Sequence, residues 1–180
     1  MLVTAAASSA GLAAIQVSNL LGARTIATTR SPAKAETLRE VGATAVVHPG
    51  TRSLAGTIHE VSGGRGVSAA FDSIGGNSLD AYAGHLAKQA VVVALGVLSD
   101  QAPSIPMAEM CRAEALFRPF SLFNYMARAE DRLEGISFVQ QAVAKGLRPK
   151  IDSVFEFADL IAAYRQLESN RSAGKIVVKA

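Results

Sequence analysis

The chain has 180 residues, 49% hydrophobic and 18% charged, with a net charge of +3. This composition excludes disorder. No apolar run reaches the ~20 residues that span a bilayer, and the scattered Lys and Arg residues form no stripe for nucleic acid. Cys111 is the single cysteine, which excludes an internal disulfide and a cysteine-based zinc cluster, and His48, His59 and His85 lack ligand spacing, so no metal site is expected. The N-terminus carries no signal-peptide pattern, and the expected compartment is the cytoplasm.

Strand-like and helix-like segments alternate along the chain. Met1 to Ala5 reads as a first strand and Leu12 to Leu21 as a helix, with Gly22 placed to end it. Thr25 to Thr29 is a β-branched strand. Ser31 and Pro32 start a helix that runs to about Val41 and stops at Gly42. Ala45 to His48 is a third strand, Leu54 to Val61 a helix, Val67 to Phe71 a fourth strand with Asp72 at its end, and Leu79 to Leu86 a helix. Val91 to Leu95 is all apolar, as a parallel strand covered on both faces requires. A loop with Pro103 and Pro106 follows, then a sixth strand over Leu116 to Leu122 and a helix over Glu130 to Ala144. Successive βα units predict an α/β chain with a doubly wound parallel sheet. From Lys150 the character changes to an extended run to Phe157, a helix over Asp159 to Glu168 and a strand over Lys175 to Val178. This is a C-terminal strand-helix-strand extension.

Parallel sheets bind ligands beyond the carboxyl ends of their strands. The first strand ends in VTAAASSAGLAAIQ, a turn of tiny residues followed at once by a helix. Against G-x-G-x-x-G, only Gly11 is glycine, with Ala6 and Ser8 in the first two places. Ser8, Ser9, Ala10 and Gly11 leave room for a large anion at the helix N-terminus, where free N–H groups and the dipole favour a pyrophosphate. Two explanations stay open at this point: a bound dinucleotide, or a turn kept small for close helix–sheet packing.

The second strand ends Thr28-Thr29-Arg30-Ser31, with Lys34 one turn on. Sites for NAD place an Asp or Glu about 20 residues past the glycine turn, on the ribose 2′-hydroxyl. No carboxylate stands here. Arg30 and Lys34 can face a 2′-phosphate and Ser31 can donate to it, which points to NADP(H). The alternative is that both cations are ordinary solvated charges.

These residues together resemble the medium-chain dehydrogenase/reductase superfamily, in its zinc-independent quinone oxidoreductase-like branch. The resemblance rests on VTAAASSAGLAAIQ, ATTRSPAKAETLREVGA, GGRGVSAAFDSIGG and the tail IDSVFEF…AYRQLESNRSAGKIVV, in the family's order. It implies a Rossmann-type cofactor domain, NADPH, and hydride transfer to a quinone, enone or related carbonyl. By position it places Ser8 to Gly11 under the pyrophosphate, and Thr29, Arg30, Ser31 and Lys34 around the 2′-phosphate. Asp72, Ser73 and Ile74 fall on the adenosine side, with turn or capping chemistry as the other reading of Asp72. Gly96, Val97, Leu98 and Phe123, the last in a loop, fall on the nicotinamide side. Gly96 as a plain turn residue and Phe123 as core or interface stay open.

The resemblance also implies a GroES-like substrate domain ahead of the first strand. Residues 1–149 would be the NADP-binding domain, and residues 150–180 a segment that completes the substrate domain. The 180-residue chain alone is therefore expected to show little turnover. A homodimer joined through the edge strand at Leu116 to Leu122 is expected. No side chain is assigned as catalytic. Four positions after Tyr82, Tyr125 and Tyr164 stand Leu86, Ala129 and Glu168, so the Tyr-x-x-x-Lys pair of short-chain dehydrogenases is missing. A non-catalytic NADPH-binding or sensing module is the competing reading. A methyltransferase is disfavoured by the missing acidic residue at the end of the second strand.

Overall fold

Strand β1 (Leu2–Val3) is short, and both its residues are fully buried. Successive side chains on a strand face opposite ways. Leu2 accordingly joins one apolar cluster and Val3 a second. A strand whose two faces are both covered lies in the middle of a sheet. The computed structural model describes all residues except Arg52 and bears this out. β1 lies between β2 (Ile26–Thr28) and β4 (Val67–Asp72), parallel to both.

The sheet continues outward to β3 (Ala45–Val47) on one side, and to β5 (Leu86–Ala94) and β6 (Leu116–Pro119) on the other. Its order is β3-β2-β1-β4-β5-β6, and every pairing is parallel. The chain winds outward from β1 and then returns to lay β4 against it. The switch point, where a doubly wound sheet opens a crevice at its carboxyl edge, therefore lies between β1 and β4. This is the Rossmann-type architecture read from the sequence.

Helices cover both faces. α1 (Ser9–Leu20) and α2 (Ala35–Glu40) bring Leu12, Ile15 and Leu38 to the Val3 side. α3 (Leu54–Ser62) and α4 (Met107–Ala113) bring Ile58, Met110 and Ala113 to the Leu2 side. A single 3₁₀ turn over Pro32–Lys34 precedes α2.

Four local expectations change. The helix expected over Leu79 to Leu86 is two 3₁₀ turns, Ser78–Ala81 and Ala83–His85. Between them Tyr82 takes a non-helical φ of −134°, with its ring buried, and Gly84 adds no helix propensity. β5 begins at Leu86 rather than Val91, because Gln89 adopts φ +58° and bulges the strand across a shifted register. Pro106 starts α4 in a stretch expected to be loop. β6 ends at Pro119, and a short helix, α5 (Leu122–Ala127), follows it.

After α6 (Ala129–Ala144), β7 (Ile151–Glu156), α7 (Leu160–Glu168) and β8 (Lys175–Lys179) form a separate pair of parallel strands with its connecting helix. Leu133, Ile136, Val139 and Val143 on α6 are exposed, as are Ile151, Val154, Phe157 and Ile161 in the tail. Among the described residues no helix is long and apolar enough to cross a membrane.

Gly11 decides how closely α1 approaches the sheet. A Cβ there would stand 2.5 Å from the Ala6 carbonyl oxygen, a backbone atom with no rotamer to yield. In an open helix, Gly to Ala gains about 1 kcal/mol. Here the contact reverses the sign, and Gly11→Ala is expected to destabilise by about 1–3 kcal/mol. A urea midpoint that rises, or stays unchanged at constant slope, would contradict this packing.

Candidate cofactor site

The crevice begins with the turn between β1 and α1. Ser8 is the N-cap of α1, in extended conformation, and its Oγ accepts from the Gly11 N–H at 3.1 Å. The first-turn N–H groups of Ser9 and Ala10 have no carbonyl ahead of them to bond. Ser8 and Ala10 are exposed at this end, whereas Gly11 is buried under it. Ser9 turns elsewhere. Its Oγ donates to the Gly174 carbonyl in the turn before β8 at 3.2 Å. Gly11 serves the close helix–sheet packing, and the exposed rim beside it is built of small residues.

The second wall is the loop after β4, built around a buried carboxylate. Asp72 is 3% exposed. Its Oδ1 accepts from Thr4 Oγ1 at 2.9 Å and from the Ile74 N–H at 2.9 Å, and its Oδ2 accepts from the Tyr82 hydroxyl at 2.7 Å. Thr4 Oγ1 in turn accepts from the Ser73 N–H at 3.1 Å, while Ser73 Oγ donates to the Thr4 carbonyl at 3.3 Å. The end of β1 and the end of β4 are thus tied at the switch point. The geometry carries the turn role of Asp72, whose oxygens are spent inside the protein; Ser73 is buried beside it, and Ile74 is half-buried.

The loop after β5 locks onto the same place. The Leu95 N–H donates to the Asp72 carbonyl at 2.9 Å and the Ser99 N–H to the Ile74 carbonyl at 2.9 Å. A Cβ on Gly96 would stand 2.4 Å from the Ser73 carbonyl oxygen, so only glycine lets the two loops close. Val97 and Leu98, just beyond, are 81% and 68% exposed, and Phe123 is 85% exposed. Phe123 lies on α5 rather than in a loop. Isolated exposed apolar residues are ordinary. Here they follow the carboxyl ends of β5 and β6, the edge where the crevice opens.

At the end of β2, Thr29 Oγ1 accepts from the Ser31 N–H at 3.2 Å and shapes the bend. Arg30 is exposed and makes no hydrogen bond or ion pair among the described residues. The Ser31 hydroxyl caps nothing. Lys34 differs from the expectation that paired it with Arg30. Its Nζ donates to the Asn170 and Ser172 carbonyls, both at 2.7 Å. Burial is the main cause that lowers its pKa, against a smaller raising effect from Asp152, and Arg30 lowers it further. The turn at 170–174 was missed as part of the site. Only the run of small and polar residues ESNRSAG before the last strand could have drawn attention to it.

A family model for zinc-binding dehydrogenases matches residues 10–134. The chain belongs to this family, within the medium-chain dehydrogenase/reductase superfamily. A 2-haloacrylate reductase from Burkholderia sp is 30% identical over 182 residues, covering 99% of this chain and 54% of that protein. A quinone oxidoreductase of Salmonella typhimurium is 28% identical over 176 residues, 94% of this chain and 53% of that protein. A solved mycobacterial structure complexed with NADPH superimposes with a TM-score of 0.84 at 26% identity, over 99% of this chain and 57% of that one. The chain spans about half the length of the curated relatives it matches. Among the described residues no group of three or more His, Cys, Asp or Glu side chains is placed to hold a metal ion, so the residues present do not fit a zinc site.

The Asp72 network generates a pH prediction. Burial first, then the charge of Asp72 and the hydrogen bond to it, raise the Tyr82 phenol well above its ordinary value of 10.0. The folded chain keeps this proton where the unfolded chain loses it. The contribution to stability is therefore fully present below about pH 10 and is lost as pH rises further. Tyr82→Phe leaves Asp72 Oδ2 short of a donor and should cost about 2–3 kcal/mol at neutral pH. The variant should also lose less stability than the parent above pH 10. Parallel alkaline limbs in denaturant titrations of the two proteins would contradict this assignment.

Proposed function

We propose that the chain is the NADPH-binding portion of an oxidoreductase that transfers hydride from NADPH to a quinone, enone or related carbonyl. The observation that carries this is Arg30. It is an exposed cation with no hydrogen bond or ion pair among the described residues, at the carboxyl end of β2, where a carboxylate would stand for NADH. Family membership and the NADPH-bound mycobacterial relative support the same reading.

The donor set suits the ligand. The start of α1 offers N–H groups and the Ser8 hydroxyl to the pyrophosphate, and the dipole of this 12-residue helix favours the anion. Arg30 and the free Ser31 hydroxyl suit a 2′-phosphate. Ser73 and Ile74 present the adenosine wall. Gly96, Val97, Leu98 and Phe123 present small and apolar surface to the nicotinamide end. When bound, the nicotinamide supplies the hydride. The chain's own residues bind and orient it, and the Asp72 network keeps their loops in register.

In this reading residues 1–149 hold the cofactor, and residues 150–180 belong with a substrate-binding part. The apolar faces left open on α6 and the tail accord with that division. A cytoplasmic, homodimeric enzyme is the corresponding whole. β6 is one edge of the sheet, and an unpaired edge invites a second copy. Sedimentation of the chain should show a concentration-dependent dimer, and a monomer at every concentration would count against it.

Arg30→Ala tests the cofactor reading. A charge-assisted hydrogen bond contributes about 1.5–3 kcal/mol. Solvent screening at an exposed side chain reduces this, so NADPH binding should weaken about tenfold. NADH binding should hardly change, and high salt should reproduce part of the loss. Calorimetric titration of both dinucleotides against parent and variant decides the matter. Equal affinities in the parent, or equal losses in the variant, would overturn the choice of NADPH.

A further inference from the structure

We infer that Lys34 is a positioning residue that couples the C-terminal turn to the cofactor site, so that a dinucleotide bearing a 2′-phosphate and docking of residues 170–174 favour one another. The inference rests on the NADPH reading above and adds a second function to a cation that the sequence assigns to the 2′-phosphate alone.

The turn is shaped from within the tail. Asp152 Oδ1 accepts from the Ala173 N–H at 2.9 Å, and Asp152 Oδ2 accepts from Gln166 Nε2 at 2.8 Å. The Lys175 N–H donates to the Lys150 carbonyl at 2.8 Å. A Cβ on Gly174 would meet that same carbonyl oxygen at 2.5 Å, so the closure needs glycine. The turn is then pinned to the sheet domain at two places, Lys34 to the Asn170 and Ser172 carbonyls and Ser9 to the Gly174 carbonyl. Ala173 packs against the cluster around Val3 and Leu12. Both pins fall where the dinucleotide's anionic groups would lie, one on the first turn of α1 and the other beside the end of β2.

The charges give the coupling its sign. An ammonium has three N–H donors, and two are given to the turn. Lys34 is half-buried with Arg30 nearby, and Asp152 is the carboxylate that favours its charge. A phosphate at the Arg30 end adds negative charge and an acceptor for the third N–H. That favours the arrangement in which the ammonium stays between the turn and the phosphate. By thermodynamic linkage, whatever the 2′-phosphate adds to docking of the turn, docking adds to phosphate affinity. If Lys34 instead had to leave the turn to reach the phosphate, the coupling would have the opposite sign.

Hydrogen exchange on the full chain separates these cases. The amides of Ala173 and Lys175 report the order of the turn, which docking on Lys34 and Ser9 restrains, measured with saturating NADPH and with saturating NADH. NADPH should slow their exchange about tenfold more than NADH, within the usual range of coupling between sites. Lys34→Met should abolish the difference, and Lys34→Arg, which keeps a charged donor, should restore part of it. A merely structural contact would slow exchange equally with either dinucleotide. Equal slowing, faster exchange with NADPH, or a difference that survives Lys34→Met would overturn the coupling while leaving the cofactor reading intact. Calorimetry on the same samples guards that reading. No NADPH binding by the parent would overturn both.

Discussion

The structure depends on one buried carboxylate. Asp72 ends β4 at the switch point, 3% exposed, and its oxygens take donors from β1, from its own loop and from Tyr82. A buried charge is tolerated only when its lone pairs are satisfied, and leaving one unpaired is costly. Each donor is therefore fixed by the requirement of the others. Thr4 must sit at the end of β1, Tyr82 must turn inward, and the Ile74 N–H must point back. The crevice wall follows, because the loop after β5 hydrogen-bonds to the Asp72 and Ile74 carbonyls.

Glycine supplies the second constraint, in the form of closeness. Gly11 lets α1 press on Ala6, and Gly96 lets the β5 loop press on Ser73. Each brings backbone together, Gly11 at the start of α1 and Gly96 where the loop after β5 meets the loop after β4. Close helix–sheet approach and a ligand-accessible helix start are thus one piece of geometry.

The tail is joined to the sheet domain by polar contacts and by the packing of Ala173 on the Val3 cluster. Lys34, Ser9 and Gln16 reach the Asn170 and Ser172, Gly174 and Arg148 carbonyls, and Lys150 pairs with Glu40 at 3.2 Å. The acceptors in this docking are backbone carbonyls. The tail's own apolar residues, Ile151, Val154, Phe157 and Ile161, stay exposed. Polar docking beside a charged site makes the join responsive to an anion, which an apolar join would not be.

The sequence by itself determined the parallel α/β order, the small turn before α1, the absence of an acid after β2 and the family, because strand and helix periodicities and turn residues are local signals. Pairing of Leu2 and Val3 to opposite faces is equally local. Tertiary structure alone decided that Tyr82 breaks the expected helix. Its hydroxyl answers a carboxylate ten positions away, and the breaking φ serves that bond. The bulge at Gln89 depends on register with β4, which no local pattern encodes. Lys34 shows the same limit. Spacing put it one turn beyond Arg30, but its donors go to carbonyls 136 and 138 positions along the chain. Backbone acceptors leave no trace in residue identity, so only the folded chain could bring them to that ammonium.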